Sequence, residues 1–281
     1  MFNPQEQDFA AIRAWGLDTN PLRALEDFKP EQLDLRWNNP YQHEAHAIYT
    51  QKRKDYMQQK NYDHYYKTAH KPIDRKRWEY LKDRKAWYIA PLEWERFAAP
   101  DVRRVLDLGC GDGDVTQRVA DFIAQCWKKK GYGGHALEIV GYDLNASRII
   151  NAREHCTSPH PMITLRFDEC DVVGKGIVDA DKHFDYALTT GVFEILEDEP
   201  AERFMAEICR VSAKGIYVED LADAYPGGYP RDDFASMFAR HGFKLVRDHT
   251  ILTEPFQAQG SADPMKLWPM LKDRLMFAVR A

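Results

Sequence analysis

From Arg103 onward, short apolar runs alternate with stretches of helical periodicity, and few folds accept that alternation. Arg103–Gly109 (RRVLDLG), Leu137–Asp143 (LEIVGYD), Met162–Phe167 (MITLRF), His183–Thr190 (HFDYALTT) and Gly215–Asp220 (GIYVED) read as strands. After the first, Val115, Val119, Phe122, Ile123 and Cys126 recur at helical spacing, and the run KKKGYGG stops that helix. Ala146–Cys156 reads as a second helix. Pro200 opens a third, with Phe204, Met205, Ile208 and Val211 on one face, and Asp232–Gly242 is a fourth. Two late strands, Phe243–Leu252 and Arg274–Ala281, flank a Pro-containing insert and suit an antiparallel pair at one edge. Strands alternating with helices imply a parallel sheet covered on both faces. The expected fold is therefore α/β: a seven-stranded, mostly parallel, doubly wound sheet with helices on both faces. It would occupy residues 101–281, behind an N-terminal helical extension over residues 1–100.

Composition removes several classes of function. No apolar run approaches the ~20 residues of a membrane span, and MFNPQEQDF at the start lacks a basic-then-apolar secretory pattern. The five cysteines, Cys110, Cys126, Cys156, Cys170 and Cys209, are odd in number and form no CxxC. That pattern suits a reducing cytoplasm and gives neither a metal site nor a disulfide frame. A net charge of −5 gives no general reason to expect nucleic acid as a partner.

The chemistry concentrates in VLDLGCGDGD, Val105 to Asp114. Glycines in the first strand-to-helix turn let the backbone curl tightly and leave no Cβ to fend off a ligand. In an open α/β sheet that turn lies at the carboxyl end of a strand, where ligands bind. A dinucleotide would call for G-x-G-x-x-G, but the glycines are Gly109, Gly111 and Gly113, and Asp114 stands where the last should be. Asp107, Asp112 and Asp114 would repel a pyrophosphate and suit a ligand carrying positive charge.

This stretch resembles motif I of class I methyltransferases that use S-adenosylmethionine, whose sulfonium and ammonium are cationic. The resemblance runs from Arg103 to Ala281. It implies a cofactor site formed by Asp107, Gly109, Gly111 and Gly113. It further implies that Asp143, ending the second strand, receives both ribose hydroxyls, and that Leu144 packs against adenine. Asp171, beside Val172, would meet the adenine amino group, with Asp168 as its rival. Thr190 and Gly191 would line the methionyl end. Two plainer readings compete: Asp143 as a helix N-cap, a job Asn145 also suits, and Asp171 as an ordinary loop acid. Cys110 and Cys170 read as small packing residues.

The acceptor is less legible. The fourth strand ends in TTGVFE, without the prolines typical of amino-methylating nucleic-acid enzymes of this fold, and is more similar to small-molecule members. Such members often carry a helical lid, and Tyr41–Ala90 holds twice as many Lys/Arg as Asp/Glu among many aromatics. Arg75, Arg77 and Arg84 could clamp a carboxylate or phosphate. Tyr62, Tyr65, Tyr66, Trp78 and Trp87 could offer aromatic faces to a sulfonium or quaternary ammonium. A solvated basic surface over a few core aromatics would look the same. Should the acceptor arrive protonated, His64, His70 and Tyr66 are the candidate bases.

The expectation is a small-molecule methyltransferase using S-adenosylmethionine, with an anionic or zwitterionic acceptor. An amino-acid thioether, as in methionine S-methyltransferases, is the specific guess. An RNA- or protein-modifying methyltransferase, a non-catalytic binder of the same cofactor and a nicotinamide oxidoreductase stay open, as does a homodimeric assembly.

Overall fold

The protein's structure, a computed structural model, describes residues 95–131, 135–221, 231, 233–252 and 272–281. The chain enters through Phe97, Ala98 and Val102, all buried, so the packed unit already includes residues before 101. Strand β1 (Arg104–Leu108) follows, then helix α1 (Asp114–Lys130), which carries Lys128–Lys130 in its last turn and ends on left-handed Gly131. Basic side chains beside the terminal carbonyls and a glycine free to take positive φ make a complete stop signal.

Strand β2 (Leu137–Asp143) leads to helix α2 (Ala146–His155), and β3 (Ile163–Glu169) to the short helix α3 (Val172–Lys175). Strand β4 (Phe184–Thr190) runs into a 3-10 turn (Phe193–Ile195) and helix α4 (Asp198–Val211), which begins two residues before Pro200. The remainder is β5 (Ser212–Leu221), α5 (Phe234–Arg240), β6 (Phe243–Leu252) and β7 (Lys272–Arg280).

The seven strands form one sheet in the order β3-β2-β1-β4-β5-β7-β6. Strands β1 to β5 pair in parallel, and β7 pairs antiparallel with both β5 and β6. The late strands thus pair antiparallel as expected, but β7 inserts between β5 and β6, so β6 alone forms the edge. The strand that β7 pairs with on its inner side, β5, is remote from it in sequence, and no local pattern encodes that choice.

One face of the sheet packs on α1 through Val115, Val119, Ile123 and Trp127, with α2 continuing the layer through Ile149 and Ala152. The other face packs on α4 and α5 through Phe204, Met205, Ile208, Met237 and Phe238. The fold is the expected doubly wound one. Its strand order reverses between β1 and β4, and a crevice opens beyond the carboxyl ends of these two strands. No helix among the described residues is long and apolar enough to cross a membrane.

Candidate functional site

A cavity of about 1570 Å³ lies at that reversal. Its walls come from three connections: the glycine turn with the end of β2, the segment after β3, and the segment from Thr190 to Phe204 after β4. Gly109, Asp143, Leu144, Asp171, Val172, Thr190 and Gly191, far apart in sequence, all line it together.

The turn after β1 is built by positive φ at Gly109 (80°), Gly111 (58°) and Gly113 (80°). Gly109 and Cys110 both donate their amides to the Tyr142 carbonyl, at 2.7 and 3.0 Å, and Gly113 donates to Cys110 at 3.0 Å. Gly111 donates to Asp143 Oδ2 at 2.9 Å. Four amides of the turn are thus committed within the protein, whereas a pyrophosphate needs such N–H groups turned toward it. That works against the dinucleotide reading.

The reason for the glycines also differs from the sequence-based expectation. A Cβ at Gly109 would lie 2.3 Å from Val192 Cγ2, and one at Gly111 2.3 Å from an Arg148 guanidinium nitrogen. At Gly113 it would meet Cys156 Sγ at 2.6 Å. Protein, before any ligand, occupies the space that the missing side chains leave. Gly113 and Asp107 are not on the cavity wall. Asp107 is fully buried beneath the turn, where Thr116 Oγ1 donates to it at 2.5 Å.

Of the three acids in the motif, only Asp114 lines the cavity. Asp112 is held by Arg148 Nε and Asn151 Nδ2, each at 3.0 Å. The cavity is nevertheless acidic. Asp143, Glu169 and Asp171 stand on its first two walls, and Glu194, Glu197, Asp198 and Glu199 on the third, against Arg148 and Arg203.

The two plainer readings divide. Asn145 caps α2, its Oδ1 accepting from the amides of Ser147 and Arg148 at 2.9 and 3.2 Å, so Asp143 is not the cap. Asp143 instead accepts from Gly111 through Oδ2 and from the Asn145 amide through Oδ1 at 2.8 Å, fixed by backbone at the cavity rim. Asp171 does cap α3, accepting from Gly174 at 2.8 Å, yet it also lines the cavity. Its rival Asp168 is tied up outside the wall by Arg153 and Arg166, at 2.9 and 2.5 Å.

Three groups on the wall could ionise as nucleophiles, and burial opposes each. It raises the Cys110 thiol well above its usual range, Cys170 to about 11 and the Tyr142 hydroxyl to about 12, the last also hydrogen-bonded to Asp179 at 2.7 Å. All stay protonated near neutrality. Among the described residues no group of three or more His, Cys, Asp or Glu is placed to hold a metal ion.

Sequence reasoning missed Arg148, Val192, Glu194 and Phe204 on the wall. Arg148 had a signal: it sits three residues after the Asn145 cap, in the first turn of α2, which must face the end of β1. Tyr62, His64, Tyr65, Tyr66, His70, Arg75, Arg77, Trp78, Arg84 and Trp87 lie outside the described residues.

The methyltransferase domain family matches residues 105–215. The "Putative methyltransferase YqeM" of Bacillus subtilis (strain 168) is 28% identical over 82 residues, 29% of this chain and 28% of that protein's length. A chain of the "Complex between the Haloferax volcanii Trm112 methyltransferase activator and the putative methyltransferase" superposes with a TM-score of 0.51 at 16% identity, over 73% of this chain and 94% of that one. Magnesium protoporphyrin IX methyltransferase from Synechocystis PCC 6803, solved with bound SAM, gives 0.49 at 14% identity, over 81% and 94%.

Proposed function

We propose that this chain is a class I S-adenosylmethionine-dependent methyltransferase that transfers the cofactor's methyl group to a small zwitterionic metabolite, with an amino-acid thioether as the specific acceptor; the methyltransferase-domain match over residues 105–215 supports the reading. The observation that carries the reading is the cavity at the strand-order reversal, with Asp143 on one wall and Thr190–Gly191 on another. The residues present fit the cofactor. Asp143 has each oxygen engaged by one amide, and each retains a lone pair for a ribose hydroxyl. Leu144 offers exposed apolar surface beside it, and Asp114 supplies negative charge on the same wall.

The bound cofactor supplies a methyl group on a positively charged sulfur, an electrophile that needs no further activation. What remains for the protein is alignment of the acceptor and exclusion of water. A thioether sulfur carries a lone pair and no proton, so no base is required. For a protonated acceptor, His64, His70 or Tyr66 would take the proton.

Zwitterionic acceptors are preferred over purely anionic ones because of the third wall. Glu194 and Glu197 there suit an ammonium and oppose a bare carboxylate, while Arg75, Arg77 and Arg84 are assigned to the acceptor's carboxylate, with Tyr62, Tyr65 and Trp78 packing over the reacting centre. The proposal places these residues in a lid formed by Tyr41–Ala90.

Incubating the enzyme with a cell metabolite extract and methyl-labelled S-adenosylmethionine, followed by mass spectrometry, tests the reading. Label in a zwitterionic small molecule is expected. Label only in RNA or protein would replace it with the macromolecular alternative. Once the acceptor is in hand, Arg75→Ala, Arg77→Ala or Arg84→Ala should raise its KM at least about fivefold while changing the cofactor's less than twofold, as loss of ground-state acceptor binding requires. Saturation curves for each substrate check this. Wild-type constants in all three variants would make the arginines solvated surface.

A further inference from the structure

We propose that Arg148 is a positioning residue for the adenosyl half of the cofactor: its guanidinium, pinned by Asp112, packs on Gly111 and holds the turn whose amide orients the Asp143 carboxylate. The inference rests on the reading of this cavity as the S-adenosylmethionine site. Three observations converge on it.

The first is contact. Arg148 Nη2 lies 2.3 Å, and Cζ 2.6 Å, from the point where a Cβ of residue 111 would stand. The flat face of the guanidinium therefore covers Gly111 as a side chain of that residue would, at a distance only glycine permits. The second is restraint. Arg148 Nε donates to Asp112 Oδ2 at 3.0 Å, and the Asp112 side chain is only 5% exposed. Asn151, one turn along α2, donates to Asp112 Oδ1 at 3.0 Å. A buried carboxylate bound by two groups of one helix ties that helix to the turn, and the planar guanidinium cannot rotate away without breaking a desolvated pair.

The third is where the restraint leads. Gly111, between Cys110 and the pinned Asp112, donates its amide to Asp143 Oδ2 at 2.9 Å. The other oxygen is held by the Asn145 amide, and Asn145 Oδ1 in turn accepts from the amide of Arg148. A closed loop results: side chain of 148 to 112, backbone of 111 to 143, 143 to 145, and 145 to the amide of 148. Arg148 thus enters the loop twice, through its backbone and its side chain. Nothing in the loop is the cofactor, and all of it surrounds the carboxylate that receives the ribose. Arg148 and Asp143 both line the cavity. The loop does not reach the Thr190–Phe204 wall, so its loss should be felt by the adenosyl half and spare the methionyl half.

Titration calorimetry with S-adenosylmethionine, S-adenosylhomocysteine and 5′-methylthioadenosine tests this in the full-length chain, beside thermal melting without ligand. Arg148→Met should weaken all three ligands by the same factor, about tenfold. Equal loss for 5′-methylthioadenosine, which lacks the amino-acid end, localises the defect to the adenosyl half. Arg148→Lys keeps the charge without the planar fork and should recover little of the affinity. Because Arg148→Met leaves Asp112 buried without its cation, the double variant Asp112→Asn/Arg148→Met is made as well. It removes that charge, should melt within a few degrees of wild type, and should still bind about tenfold more weakly. Wild-type affinity in the folded double variant overturns the proposal, as does a loss confined to S-adenosylmethionine. A wild-type chain that binds none of the three ligands fails the assignment of the cavity itself, a different result from either.

Discussion

Replacing Asp143 by alanine will weaken S-adenosylmethionine binding by about a hundredfold while the apo protein stays folded. A carboxylate accepting two ribose hydroxyls makes two charge-assisted bonds, each worth roughly 1.5–3 kcal/mol. Each ~1.4 kcal/mol is a factor of ten in affinity, so the lower end of that range already gives the predicted factor. The structure adds a reason why no neighbour can compensate. Both oxygens of Asp143 are set by backbone amides, Gly111 at 2.9 Å and Asn145 at 2.8 Å, so the lone pairs that remain have one fixed direction. Alanine removes the acceptors and also releases the glycine turn. Asp143→Asn separates these effects. Its amide keeps the shape, but its NH2 must face a backbone N–H on one side, so it should fall between wild type and alanine. Calorimetric titration of each folded variant is the check, and a loss under tenfold for alanine would remove Asp143 from the site.

What the sequence disclosed about this site, and what it hid, follows from how far each signal reaches along the chain. Helix ends were legible because their causes are local: Gly131 after a lysine run, Asn145 with its side chain on the amides of Ser147 and Arg148. The strands were legible because parallel strands buried on both faces are continuous apolar runs. The position of β7 was not, since its pairing with β5 is a choice between strands that share no local pattern. The glycines marked the right turn for an incomplete reason. Three residues at positive φ were foreseeable from spacing, but the neighbours that forbid a Cβ, Val192 and Arg148, come from segments more than 30 residues away. The acids of the motif misled in the same manner. Asp112 looked like charge offered to a ligand, and its cation proved to be an arginine of the chain itself.

Gly109 links the two halves of the site, and Gly109→Ala should lower cofactor affinity at least thirtyfold, about 2 kcal/mol. Two costs combine. At φ 80° an L side chain meets its own backbone, worth roughly 1–2 kcal/mol. The new Cβ would also lie 2.3 Å from Val192 Cγ2, so one of the two must move. The backbone of the 3-10 turn has little room to retreat. Phe193 is fully buried with its ring edge-on to Phe204 and Phe234, at centroid distances of 5.2 and 5.1 Å, and the Glu194 amide is held by Asp220 Oδ1 at 3.1 Å. Relief therefore comes from the Val192 side chain or from the turn, and both line the cavity. Either movement sends atoms into cofactor space. Val192→Ala provides the control, because it deletes the methyl that collides and costs little where the side chain is only partly buried. In Gly109→Ala/Val192→Ala the collision is gone and the backbone strain remains, so affinity should recover about tenfold over Gly109→Ala without reaching wild type. That non-additivity, about 1.4 kcal/mol of coupling, is the quantity a double-mutant cycle measures for residues in contact. Purely additive effects would show that the collision is absorbed elsewhere. The loss at Gly109 would then be backbone strain alone, and the contact between the first turn and the acceptor wall would carry no weight in binding.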